Sequence, residues 1–234
     1  MNDAALVRSS HFEHRLFLAS CLAALLIVFA GFARTYFLRL LFDAPGLTPL
    51  VHLHGALMSA WFVLFAMQTW LVATHRVRWH RRLGIAGVVL ALAIVMIGPI
   101  VLVGATSREL NAPDGDPFFI SIFGVDAVIL LDFAILVATA IALRARSDFH
   151  KRLMLLATAS IVLPAIGRLP IGLVPIWLIF YACVLVPVAV DTQRHRRLHP
   201  AFGWGAPLLL ASQHLAYLGT KTDLWAQFVR QLFV

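Results

Sequence analysis

Long apolar stretches separated by short basic loops dominate the hydrophobic pattern of the chain. A helix that crosses a bilayer needs about 20 residues at a rise of about 1.5 Å each. The pattern therefore predicts an all-α, polytopic membrane bundle of about seven transmembrane helices, forming a single domain over residues 1–234. The predicted spans are residues 16–42, 49–74, 83–106, 117–143, 153–167, 169–190 and 201–220.

Composition supports this class and excludes a soluble domain. Hydrophobic residues make up 61% of the chain and charged residues only 13%, whereas soluble domains carry about 25% charged residues. The net charge of +8 is confined to short loops and forms no continuous groove or aromatic platform. We therefore expect membrane lipid as a partner and no nucleic acid.

The basic loops predict the orientation of the bundle. Loops that join the second span to the third, the fourth to the fifth, and the sixth to the seventh fall on one side. The opposite side carries the acids Glu109 and Asp116. Basic loops favour the cytoplasm, so the sequence predicts a multi-pass protein of the inner cell membrane with a cytoplasmic N-terminus. The basic residues are Arg76, Arg78, Arg81, Arg82, Arg144, Arg146, Lys151, Arg152, Arg194, Arg196 and Arg197.

A short motif recurs in these loops. "HRRL" begins at His80, "HKRL" at His150 and "HRRL" again at His195. Each copy follows a basic segment and precedes an apolar one, which predicts three helical hairpins with one helix in front of them. Histidine and arginine at a helix start also suit the lipid headgroup region.

The second span carries a polar and aromatic stripe. His54, Met58, Trp61 and Gln68 recur at helical spacing and share one face. His52 lies about 200° away around the same helix. Polar side chains in hydrocarbon turn toward the bundle interior, so we expect His54 to face inward and His52 to face elsewhere.

Four polar residues are predicted at a similar depth in the outer half of the membrane. They are His54, Asp126, Arg168 and His214. Acids within a span need partners, and Asp126 can pair with Arg168 or a histidine; Asp132 has no obvious partner in the sequence. Two imidazoles and one carboxylate suit zinc or iron. One hypothesis is therefore a metal-dependent membrane enzyme that uses His54, Asp126 and His214.

The segment "HGALMSAW" at 54–61 followed by "WHRRLG" at 79–84 resembles the transmembrane b-type cytochromes that pass electrons from ascorbate across membranes. The resemblance covers the second to fifth spans and implies a haem b cofactor. It implies that His54 is an outer haem ligand and that His80 and His150 form the inner pair. The family's outer partner lies on the fourth span, which has no histidine here; His214 would be the substitute if the helices pack differently. The loop pattern also resembles uncharacterised bacterial multi-pass membrane proteins.

Three functions stay open on the residues alone. The first is a redox protein in which facing imidazoles hold haem and nearby cations bind its propionates. Arg82 beside His80 and Arg152 beside His150 supply such cations, and the partner would be a membrane redox protein or quinone. The second is the metal enzyme, and the third is a subunit, alone or in an oligomer, that binds lipid, quinone or a small solute without catalysis. Pocket-lining residues are predicted to be Met58, Trp61, Gln68 and Arg168.

Overall fold

The computed structural model describes residues 3–113 and 116–233, with side chains from residue 15 onward. Across these residues the chain is helical and forms no strand, which confirms the predicted all-α class. A π-helical turn over Ala33–Phe37 and a 3₁₀ turn over Arg39–Leu41 follow the first helix. The helices are α1 (Asp3–Phe32), α2 (Pro49–Ala73), α3 (Val77–Leu110), α4 (Phe118–Ala142), α5 (Ser147–Ser160), α6 (Leu163–Ile166), α7 (Leu173–His195), α8 (Pro200–Gly219) and α9 (Asp223–Phe233).

Within the described residues, six helical segments are long and apolar enough to cross a membrane. They correspond to the first six predicted spans, with one difference that matters for function. The third helix begins at Val77 instead of residue 83, so His80 lies in its first turn. The six segments are Arg15–Phe37, Pro49–Ala73, Val77–Leu110, Phe118–Ala142, Ser147–Ile166 and Leu173–His195.

The seventh predicted span coincides with α8 but is not among these six. The helix has 20 residues, and the polar run Ser212, Gln213 and His214 lowers its hydropathy. It nevertheless packs on α4 and α5. Phe202 and Leu209 of this helix are fully buried in the core.

Predicted hairpin partners pack against each other: α2 on α3, α4 on α5, and α7 on α8. The three connecting loops meet at one end of the bundle, which we call the basic end. There the His80 ring lies against the His150 ring, and the Phe149 ring contacts the His199 ring at a centroid distance of 4.7 Å. We call the opposite end, where α3 ends and α4 begins, the far end.

The fifth helical segment lies at the centre of the bundle. Within its apolar 18-residue stretch, 72% of the residues are buried, compared with 17% in the corresponding stretches of α2 and α3. A buried ion pair joins it to α7: Arg152 donates from Nη2 to Asp191 Oδ1 at 2.6 Å and from Nε to Oδ2 at 3.0 Å. Both side chains are at most 3% exposed. The pair connects α5 to α7 near the basic end.

Asp132 has the partners that sequence reasoning did not find. Its carboxylate accepts hydrogen bonds from Ser212 Oγ at 2.7 Å and Gln213 Nε2 at 3.3 Å. Gln213 Nε2 also donates to the Ser160 carbonyl at 3.1 Å. A charged group in hydrocarbon is costly unless it is bonded. This buried network therefore connects α4, α5 and α8.

Candidate functional site

Two cavities of similar size lie between the helices. The basic-end cavity has a volume of about 350 Å³ and is lined by residues of α1 to α5. The far cavity has a volume of about 360 Å³ and lies toward the other end. Both volumes fall within the range of about 300–1,000 Å³ that is typical of ligand and cofactor sites.

The α2 stripe faces both cavities in turn. His54 and Met58 line the far cavity, whereas Trp61 and Gln68 line the basic-end cavity. The His52 side chain is exposed and lies against Tyr36. The inward orientation predicted for His54 is thus observed. The predicted pocket-lining residues, however, divide between two sites.

His80 and His150 face each other in the basic-end cavity. Their ring centroids are 6.4 Å apart and the ring planes are nearly perpendicular, at 79°. Two imidazoles that bind one metal ion from opposite sides place their centroids about 6 Å apart, since a metal–nitrogen bond is about 2 Å and each nitrogen lies about 1 Å from its ring centre. The observed separation therefore fits a shared metal centre.

The His150 ring is oriented by a backbone carbonyl. Its Nδ1 lies 2.9 Å from the carbonyl oxygen of Ala140 on α4. A hydrogen bond donated to that oxygen requires the proton on Nδ1 and leaves the Nε2 lone pair for a ligand. Histidines that bind metals commonly donate their other ring nitrogen to a carbonyl in this way.

Two other polar atoms at the basic-end cavity are buried and have no hydrogen-bond partner within the part of the chain that the structure describes. They are His80 Nδ1 and Gln68 Oε1. Buried polar atoms without a partner are rare in native proteins, because losing hydration without a replacement costs about 1–3 kcal/mol each. Such atoms indicate that a further group bonds to them.

Glycines open the α3 wall next to His80. Gly84 and Gly87 lie four and seven residues after it, on the same helical face, and both line the cavity. A Cβ at Gly84 would meet only the end of Gln68, at 3.9 Å, so the space in front of this glycine is empty. A Cβ at Gly87 would touch Leu64 Cδ2 at 3.5 Å, so the open space beside the His80 ring lies in front of Gly84.

The cations predicted to bind propionates are placed differently from the prediction. Arg152 points to Asp191 on α7, and the Arg82 guanidinium lies over the Trp79 ring at 5.3 Å. Neither lines the cavity, because neighbouring positions on a helix face different directions. Among the described residues, the lysine or arginine that does line it is Lys151, which also pairs with Asp148 at 3.4 Å.

The far cavity brings together three of the four residues predicted to converge. His54, Asp126 and Arg168 all line it. His214 does not: its Nδ1 lies 3.1 Å from the Tyr181 hydroxyl, and its ring packs on Trp177. The His214 side chain lies on the face of α8 that packs on α7, whereas the Ser212 and Gln213 side chains contact α4 and α5.

The predicted metal site of His54, Asp126 and His214 is therefore not assembled. Among the described residues no group of three or more histidine, cysteine, aspartate or glutamate side chains is placed to hold a metal ion. His214 is also not placed to be the second outer haem ligand, because it does not line the cavity that contains His54. The His80–His150 pair is the part of the haem prediction that the structure brings together.

Sequence reasoning missed several residues of the two cavities. Gly84 and Gly87 were identifiable, because their spacing from His80 places them on its face. Ala140 was not, because it contributes a backbone carbonyl. Thr106, fully buried in the wall of the far cavity, gave no signal either.

In comparisons with known proteins, no family model matches this chain, and no curated protein or solved structure matches it.

Proposed function

We propose that this chain is an integral membrane redox protein that binds b-type haem in the basic-end cavity through His80 and His150. The observation that carries the proposal is the pair of facing imidazoles, 6.4 Å apart beside a cavity of about 350 Å³. A haem iron takes four ligands from its porphyrin and needs only two from the protein. A pair of histidines is therefore a sufficient protein contribution.

The chain's own residues would orient and enclose the group. The Ala140 carbonyl holds the His150 ring, and Gly84 leaves room along α3. Trp61 is fixed by its Nε1 hydrogen bond to Thr158 Oγ1 at 3.3 Å and by edge contact with Phe133. This apolar wall would keep water away from a bound haem. Bound haem would supply one-electron transfer, exchanging electrons with a membrane redox partner or quinone.

The optical spectrum of the purified protein tests the proposal. After expression with added haem precursor, we expect about one b-type haem per chain by pyridine haemochrome assay, in line with one pair of ligands. The reduced protein should show the sharp bands of a low-spin cytochrome. A colourless protein that remains folded and fails to take up added haem would contradict the proposal. The cavity would then belong to a ligand without redox chemistry, such as a lipid.

We also propose the orientation and the seventh span. The basic end would face the cytoplasm because positive loops are retained there, and α8 would cross the membrane because α4 and α5 pack on it. The N-terminus would then be cytoplasmic and the protein would lie in the inner membrane.

Reporter fusions test this topology. A reporter after Arg78 or Arg146 should report the cytoplasm, and one after Val234 should report the other side. The fusion after Arg146 is the control for the fusion after Arg78, since both loops lie at the basic end. Finding Arg78 and Val234 on the same side would contradict the seven-span arrangement.

A further inference from the structure

The far cavity contains opposite charges that do not neutralise each other directly. Asp126 and Arg168 both line it and lie near enough to interact electrostatically. Within the described residues, however, Asp126 has neither an ion pair nor a hydrogen bond. Arg168 instead donates to the Pro164 carbonyl at 2.8 Å, and its guanidinium lies over the Phe32 ring at 4.5 Å. Among the described residues, the acid and the base thus line one cavity without forming an ion pair.

Two further polar atoms of this cavity lack partners in the described part of the chain. Thr106 is fully buried, and its Oγ1 makes no hydrogen bond. His54 Nδ1 is likewise buried and unbonded. Both residues line the far cavity. A hydroxyl and an imidazole without partners, next to an acid and a base, indicate a site that a polar ligand completes.

The charges define the class of ligand. An ion that carries one charge would leave either Asp126 or the exposed Arg168 without a counter-charge. For Asp126, in a largely apolar cavity, this is costly. A molecule with both an ammonium and an anionic group satisfies both residues at once. The remaining lining includes the apolar side chains Met58 and Leu102, so a ligand with an attached hydrocarbon part also fits.

We infer that the far cavity is a binding site for a compact zwitterion, whose ammonium contacts Asp126 and whose carboxylate or phosphate contacts Arg168. His54 and Thr106 hydrogen-bond to the same molecule. This chemistry is shared by free amino acids and by the headgroup of an ethanolamine phospholipid. The inference is independent of haem, which would bind at the other end of the bundle.

Lipid retention and competition test the inference. The full-length protein is exchanged into nanodiscs of phosphatidylethanolamine or phosphatidylglycerol with the same acyl chains, and retained lipid is counted by native mass spectrometry after release into detergent. In parallel, phosphoethanolamine and glycine are titrated against the protein by calorimetry. We expect selective retention of the ethanolamine lipid, or saturable binding of a free zwitterion, and in either case one molecule per chain.

Neutral variants locate the site. Arg168→Gln and Asp126→Asn should each weaken the binding at least about tenfold, since each leaves one ligand charge unpaired. The matched controls are Arg108→Gln and Asp43→Asn, which remove the same charges from exposed positions at the far end. Helix content by circular dichroism shows that each variant is folded.

The possible results distinguish a phospholipid headgroup from a soluble zwitterion, and both from the absence of a zwitterion site. Selective lipid retention that free phosphoethanolamine does not reverse identifies the phospholipid headgroup. Binding of glycine or phosphoethanolamine in calorimetry identifies a soluble zwitterion. Equal retention of both lipids without binding of either free compound would overturn the inference. So would equal losses in the site variants and the controls.

Discussion

Replacing His80 or His150 by alanine should remove nearly all bound haem from the purified protein. Each variant leaves one protein ligand, and a single imidazole cannot hold haem in the low-spin state that two provide. We expect the low-spin spectrum to disappear in both variants, with haem content falling about tenfold or more, comparable to the loss of an essential part of a metal site.

The matched control is His52→Ala, which removes an exposed histidine from a helix that also lines the cavity. It should leave haem content unchanged, and His214→Ala should do the same because His214 packs on Trp177 and Tyr181. A His80→Gly variant keeps the result interpretable, since added imidazole can enter the vacated space and restore the spectrum. Loss of haem in His214→Ala but not in His80→Ala would assign the ligands elsewhere.

Replacing Asp191 by alanine should cause the largest loss of stability among single substitutions of charged residues near the basic end. Asp191 is the buried partner of Arg152, whose side chain is only 3% exposed. Removing one member of a buried ion pair leaves an uncompensated charge and costs about 3–5 kcal/mol. We expect a loss of that order in the free energy of unfolding, measured by denaturant titration in mixed micelles.

A double variant distinguishes the unpaired charge from a simple loss of packing. Arg152→Met combined with Asp191→Leu removes both charges and keeps apolar volume, so most of the lost stability should return. Asp148→Ala supplies the comparison: Asp148 is 69% exposed, pairs with Lys151 at 3.4 Å and lies 3.9 Å from Arg152 Nη1, so its loss should cost about 1 kcal/mol or less. A double variant as unstable as Asp191→Ala would show that the pair itself, and not charge burial, stabilises the contact between α5 and α7.

The apolar pattern of the sequence predicted most of the fold, because hydrocarbon permits few alternatives to helices. The spans of α2 and α4 agree with prediction to within a residue or two at each end. The inward face of His54 also followed from helical periodicity. The recurrence of basic segments predicted which loops share an end, and the contacts of His150 with His80 and of Phe149 with His199 agree with that prediction.

The sequence could not predict which side chains of distant helices contact each other. Depth in the membrane placed His54 and His214 at one level, but which way each faces depends on how α8 rotates against its neighbours. The network of Asp132 with Ser212 and Gln213 turns one face of α8 toward α4 and directs His214 toward α7. In the same way, the ion pair with Asp191 directs Arg152 away from the cavity that neighbouring His150 lines.

Electron paramagnetic resonance of the oxidised wild-type protein tests the central claim most directly, because it reports the axial ligands of a ferric haem. We predict a low-spin signal typical of two imidazole ligands, lost in the His80→Ala and His150→Ala variants and unchanged in His52→Ala. A purely high-spin signal, or a low-spin signal that persists when either His80 or His150 is removed, would contradict the claim that these two histidines hold one haem between them.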